Sequence, residues 1–181
     1  DVLVKLEKGE LFKYYNDYDQ EGTAITSIED GSIIALSGGR KYGARGLNRA
    51  TDINRQPGST AKPLFDYAPY MEYLNGSPGD YFFDEPYAYS TGQSINDADR
   101  KYQGMITLRK GLIGSRNVTA LQAFQKVAAK DQSLIENFVH SVGINYGSAL
   151  YESASIGGFN GTNPLEMSAA YAVFGRGGYY I

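Results

Sequence analysis

Apolar residues recur along the chain with two periods, and the elements they predict are unevenly spread. Thr23–Glu29 (TAITSIE) and Ser32–Ser37 (SIIALS) are short β-branched runs, a composition that suits a pleated strand. Asp30-Gly31 stands between them and favours a hairpin, because both positions tolerate positive φ. Gly38-Gly39 stops the second run, and 40–54 reads as a polar loop. From Ser59 to Leu74, helix formers and bulky apolar residues predominate. Pro63 fits there only if the helix opens close to Ser59, and Pro69 predicts a break or kink. Residues 75–104, with Gly-Ser-Pro-Gly at 76–79, read as loop. Ile106–Leu112 predicts a short helix ended by Gly114. Asn117–Ala129 predicts a longer one, with Val118, Leu121, Phe124 and Ala128 facing inward. Another follows Asp131, with Leu134, Ile135, Phe138, Val139 and Val142 at helical spacing. The last opens at Asn163-Pro164-Leu165-Glu166, an N-cap, an N1 proline and an N3 carboxylate, so Glu166 is expected to cap rather than to act as a base. Gly175-Arg176-Gly177-Gly178 closes it as a turn. Residues 1–22 are charged and Tyr-rich without a clear period, and read as a lead-in segment ahead of a domain over 23–181.

Composition removes several kinds of chemistry. The 181 residues are 42% hydrophobic and 20% charged, which suits a globular core. A net charge of −3 argues against a nucleic-acid partner, which needs basic side chains to neutralise phosphates. With no Cys there is no thiol nucleophile and no thiolate-bound zinc. The single His140 falls off the apolar stripe of its helix and reads as a solvated residue, so neither a Ser-His-Asp triad nor a His-rich metal site is expected. No cofactor and no metal are called for. Apolar stretches such as Ala169–Phe174 fall far short of the roughly 20 residues that cross a bilayer. The opening residues lack the layout of a signal peptide.

Candidate chemistry centres on Ser59-Thr60-Ala61-Lys62. Positions i and i+3 share a helix face, so the hydroxyl and the amine are neighbours. Serine needs a base within reach, and a lysine of ordinary pKa is neutral in only about one molecule in 2,500 at pH 7. Burial or nearby cations have to lower that value. At a helix start the Ser59 N–H also faces the positive end of the dipole, where an oxyanion is stabilised. Taken alone, Ser-x-x-Lys turns up by chance about once per few hundred residues; its setting, Arg55-Gln56-Pro57-Gly58 before and Pro63-Leu64 after, sets it apart. Ser115-Arg116-Asn117, between two predicted helices, offers a second hydroxyl and a carboxamide. These can relay a proton and orient a carbonyl, although the same residues are also ordinary helix caps.

Ser-x-x-Lys, Ser-x-Asn and Lys-Thr-Gly are the motif set of penicillin-binding proteins and serine β-lactamases. Here the first is Ser59–Lys62 and the second Ser115–Asn117. With Gly38-Gly39-Arg40-Lys41-Tyr42, Asn48-Arg49-Ala50-Thr51, Arg55-Gln56-Pro57-Gly58-Ser59, Lys101-Tyr102-Gln103-Gly104-Met105-Ile106-Thr107-Leu108-Arg109 and Pro164-Leu165-Glu166-Met167, the chain resembles the transpeptidase domain of the bifunctional, class A high-molecular-weight penicillin-binding proteins, over roughly 23–180. The resemblance implies an α+β fold of the penicillin-binding-protein and serine β-lactamase kind. This chain would hold a mostly helical part and one β-hairpin of a central antiparallel sheet that is otherwise incomplete. It implies a DD-transpeptidase of cell-wall synthesis, acylated at Ser59 by D-Ala-D-Ala stem peptides of peptidoglycan and by β-lactam antibiotics. Lys62 would be the base, Ser115 the proton relay and Asn117 a ligand for the substrate amide. Such domains lie outside the bacterial cytoplasmic membrane, behind an N-terminal anchor that this chain lacks.

Lys-Thr-Gly does not occur. The expectation is therefore an incomplete transpeptidase, completed by a C-terminal segment of the same domain as a separate piece or chain. A serine β-lactamase needs a water-activating glutamate, and Glu152-Ser153-Ala154-Ser155 is a poor match for one. A β-lactam sensor domain is disfavoured by the stretches around Arg40 and Lys101. An inactive fragment stays open as an alternative.

Overall fold

The computed structural model describes residues 2–16, 18–40 and 46–181. The Lys41-Tyr42 end of one stretch quoted above lies outside them. Packing divides the chain into two units, Asp1–Arg55 with Val142–Ile144 and Thr162–Ile181, and Gln56–Ser141 with Asn145–Gly161.

In the first unit, the predicted hairpin forms with a different turn. Strands β1 (Thr23–Thr26) and β2 (Ile33–Ser37) pair antiparallel, Thr23 opposite Ser37, with a register shift between Ile25 and Thr26. β1 stops three residues short of the predicted Glu29 because Ser27 turns the chain: its Oγ accepts the N–H of Glu29 at 3.1 Å, and its N–H donates to Ser32 O at 2.8 Å. The lead-in holds a short helix, α1 (Val2–Glu7), whose period was not legible in six residues. The final helix of the chain (Pro164–Gly175) starts as expected, the Asn163 side chain accepting the Glu166 N–H at 2.9 Å. The Glu166 carboxylate accepts from Thr162 Oγ1 at 2.6 Å. This helix is tied to the hairpin by the Thr26–Ser168 hydroxyl pair at 2.8 Å and by Arg176 Nε donating to Ile28 O at 2.7 Å.

The second unit opens with a helical run of changing pitch: a 3₁₀ turn (Gly58–Ala61), a π-helical turn (Pro63–Tyr67) and helix α2 (Ala68–Leu74). The break expected at Pro69 is absent. The π turn sends the Ala68 N–H to Pro63 O, and Pro69 then falls in the first turn of α2, where its missing N–H has no helical partner to lose. Asn75, at φ 52°, ends the run.

Residues 75–104 are not all loop. β3 (Tyr81–Asp84) pairs antiparallel with β6 (Gly104–Thr107), and β4 (Tyr87–Ala88) with β5 (Ser94–Ile95). β3 does alternate, Phe82 and Asp84 buried and Tyr81 and Phe83 exposed. A four-residue strand with a carboxylate on its inner face hides that period. Ile106 and Thr107, expected in a helix, end β6. Thr107 instead caps α3 (Leu108–Ile113), its Oγ1 accepting the Lys110 N–H. Helix α4 (Asn117–Ser141) is interrupted at Asp131, whose φ of −171° and ψ of 117° are extended. Asp131 restarts the helix by accepting the Ser133 N–H at 2.9 Å, as its position in the pattern predicted. The remaining helix, that of the first unit, is α5. Val118, Leu121 and Phe124 are buried as expected, whereas Val127 takes the inward place predicted for Ala128. Tyr67, Phe82, Leu108, Ala120 and Ala123 form one core cluster. Phe65 stacks on Phe159 at 4.9 Å. His140 is exposed beside Tyr146, as its place off the stripe implied.

Candidate active site

Four of the residues singled out in the sequence belong to the second unit. Ser59 is exposed within the 3₁₀ turn, and Lys62, joined to it by the Lys62 N–H···O Ser59 bond, is fully buried. Ser115 sits in the turn between α3 and α4 at φ 51°, a left-handed conformation that costs a serine about 1 kcal/mol or more. That conformation turns both oxygens of Ser115 toward one amine. Lys62 Nζ donates to Ser115 O at 2.6 Å, to Ser115 Oγ at 3.1 Å and to Asn117 Oδ1 at 2.7 Å. Lys62, Ser115 and Asn117 are thus brought together. No hydrogen bond links the Ser59 hydroxyl to them or to any other described residue.

The amine's three acceptors include no carboxylate. Burial lowers the Lys62 pKa to about 8, against the opposing charges of Asp66 and Asp97 and with help from Arg116. At that value about one Lys62 in ten is neutral at pH 7, against about one in 2,500 for an ordinary lysine. A base of this strength beside a hydroxyl is suited to proton transfer near neutral pH.

Arg116, the middle residue of Ser-x-Asn, turns away from the amine. It is 3% exposed. Its Nε lies 2.9 Å from Asp84 Oδ2, its Nη1 3.0 Å from Asp99 Oδ1 and its Nη2 3.0 Å from Asp97 Oδ2, and it also donates to Lys101 O. Burial acts to remove its proton, but hydrogen bonding to Asp99 and the charges of Asp97 and Asp84 outweigh that and hold its pKa above the ordinary value. The pattern reading overlooked Asp97, whose Oδ1 accepts the N–H groups of Asn117 and Val118. It caps α4 and fixes the position of Asn117. Asn117 Nδ2 donates to Asn96 O at 2.7 Å, leaving Oδ1 toward Lys62. No local signal marks Asp97 within a polar loop.

Two further residues went unnoticed. A Cβ on Gly157 would lie 2.3 Å from Gly58 O and 2.5 Å from Gly58 N, so only glycine, here at φ 87°, lets this backbone press against the turn that carries Ser59. Asp66, four residues after Lys62, is fully buried, with no hydrogen-bond partner for either oxygen among the described residues. A lone carboxylate in Leu64-Phe65-Asp66-Tyr67 was a usable signal. Of the glutamates considered as water-activating bases, Glu152 is occupied by Ser90 and Gln125, and the Glu166 carboxylate by the Thr162 hydroxyl, a side-chain bond in place of the helix-capping one expected.

Comparison with known proteins gives a consistent result. The family model of the penicillin binding protein transpeptidase domain matches residues 22–181. Penicillin-binding protein 1A/1B of Bacillus subtilis is 40% identical over 165 residues, 89% of this chain and 18% of that protein. Penicillin-binding protein 1A of Streptococcus oralis is 36% identical over 182 residues, 94% of this chain and 28% of that protein. The crystal structure of penicillin-binding protein 1A from Haemophilus influenzae matches with a TM-score of 0.74 at 29% identity, over 86% of this chain and 23% of that one. The chain thus spans a quarter or so of the length of these relatives, or less.

Proposed function

The chain belongs to the penicillin-binding protein transpeptidase family, and from that premise we propose that it carries the acylation half of a serine DD-transpeptidase site. Ser59 Oγ attacks the carbonyl carbon of the penultimate D-Ala of a stem peptide, and its proton passes to the neutral Lys62 amine. The oxyanion forms beside the Ser59 N–H, one of the opening donors of a helical run, which have no intrahelical partner. Ser115 hands the proton from Lys62 to the departing nitrogen, the C–N bond breaks, and D-Ala leaves an ester on Ser59. An amine of a neighbouring stem then attacks that ester and returns Ser59 to its hydroxyl form, closing a peptidoglycan cross-link. Asn117 Oδ1 accepts the substrate amide N–H with its second lone pair. A β-lactam ring, opened by the same attack, stays on Ser59 as an ester.

The observation that carries this reading is the buried Lys62 amine, 3.1 Å from Ser115 Oγ and 2.7 Å from Asn117 Oδ1, one turn after an exposed serine. Recognition of the substrate carboxylate falls to a further protein segment, which also covers apolar strand surface. Ile25, Ile33 and Ile34 are exposed on β1 and β2, which suits such a cover. Among the described residues no helix is long and apolar enough to cross a membrane. The reading places the chain at the outer face of the bacterial cytoplasmic membrane, held by a segment outside these residues. Intact mass after exposure to a β-lactam tests it, on this chain and on one extended through a Lys-Thr-Gly segment. One added β-lactam mass, absent from Ser59→Ala, is expected. An extended protein that stays unmodified, or an adduct that persists in Ser59→Ala, overturns it.

A further inference from the structure

Asp66 has no part in the chemistry above, yet few carboxyls are so placed. It is wholly buried, and among the described residues neither oxygen has a hydrogen-bond partner. Burial of an unpaired carboxylate is so costly that such a group is kept only with a compensating charge or in its protonated form. It lies in the π-helical turn Pro63–Tyr67, an irregularity that often marks functional segments.

Three charged groups act on Lys62: Asp66 from its own helical run, Asp97 from the loop between β5 and β6, and Arg116 from the turn before α4. Asp97 is already engaged by Arg116 and by the N–H groups of Asn117 and Val118. Arg116 is engaged by three carboxylates. Asp66 has no such commitment among the described residues; it stands four positions after Lys62 in the same helical run, a spacing that makes side chains neighbours, and the charge that acts on it is that of Lys62.

We propose that Asp66 is a positioning residue for Lys62, a buried counter-charge that governs whether the amine holds its proton, without itself touching substrate. With Asp66 ionised, an ammonium at Lys62 leaves the pair neutral overall. With Asp66 protonated, the same ammonium is an uncompensated buried charge, and the free amine is favoured. The proton that leaves Ser59 therefore lands on a site whose cost Asp66 sets. The action is through space, since neither Asp66 oxygen is hydrogen-bonded to a donor among the described residues. Burial pushes the Asp66 carboxyl well above the usual range while Lys62 pulls it back, the behaviour of two coupled groups.

The consequence for acylation rests on Lys62 being the base, but the test does not need acylation. NMR titration of the Lys62 ¹³Cε resonance, assigned with Lys62→Met, gives the midpoint directly. From about 8 in the unaltered chain, Asp66→Asn is expected to lower it by about one pH unit or more, and Asp66→Glu to bring it back toward the original value. Because coupling is reciprocal, Lys62→Met must raise the titration of the Asp66 carboxyl, read at its ¹³Cγ. An unchanged Lys62 midpoint in a folded Asp66→Asn chain overturns the proposal. Should that variant not fold, an Asp66 titration indifferent to Lys62→Met overturns it instead. Failure of Ser59 to take up a β-lactam, with these shifts present, would count against the nucleophile and not against Asp66.

Discussion

Lys62 and Arg116 are both buried cations of the second unit, and their surroundings send them in opposite directions. Arg116 has three carboxylates at 2.9 to 3.0 Å, and they hold its charge in place. Lys62 has three neutral oxygens within 3.1 Å and no carboxylate in contact among the described residues, so burial depresses its pKa to about 8. Burial alone therefore does not decide what a cation does. Arg116 is a permanently charged brace for the Ser-x-Asn turn; Lys62, held by the same turn, is the group proposed above as the proton acceptor.

The comparison breaks most visibly on stability. Arg116→Met leaves Asp84 and Asp97 buried without their counter-charge and is expected to cost about 3–5 kcal/mol in urea unfolding; a loss under 1 kcal/mol would deny it the role of brace. The pH dependence comes next. Lys62 has a folded pKa of about 8 against an ordinary 10.5, so between those values the unfolded chain holds a proton that the folded chain has released. Stability from this group therefore rises with pH across that window, by on the order of 2–3 kcal/mol. Lys62→Met is expected to abolish the rise, measured as the unfolding midpoint from pH 7 to pH 10. Asp97→Asn touches both regions. It removes one carboxylate from Arg116 and weakens the acceptor for the Asn117 N–H, for about 1–2 kcal/mol. It should also lower the Lys62 midpoint, because Asp97 raises it. Lys62→Met at pH 7 is expected to change stability by no more than about 1 kcal/mol, since relief from burying the amine offsets its lost hydrogen bonds. A loss as large as that of Arg116→Met would place Lys62 with the structural cations.

Much of this contrast was legible in the chain and much was not. Ser59 and Lys62 stand in one short motif, and Ser115-Arg116-Asn117 in another, so their residue types and local setting could be read directly. Helix α4 of the second unit followed from apolar spacing, down to the interruption at Asp131. What convergence requires is long-range, and period says nothing of it. Asp84 and Asp99 reach Arg116 across 32 and 17 positions of sequence, from a region that read as loop. The strands there are two to four residues long, too short for alternation to stand out. Pro69 misled because a π turn shifted it into a place where its missing N–H does no harm. Asp66 was visible as a carboxylate in an apolar run, but only burial shows that it lacks a partner.

The central claim is that Lys62 is the base for Ser59, made so by burial without a contacting carboxylate. The rate at which a β-lactam adds its mass to Ser59, followed from pH 6 to pH 10, tests it most directly. The account predicts a rate that rises and levels off with a midpoint at about 8, lost in Lys62→Met. A rate that is flat across this range, or still rising at pH 10 as for an ordinary lysine, would contradict it.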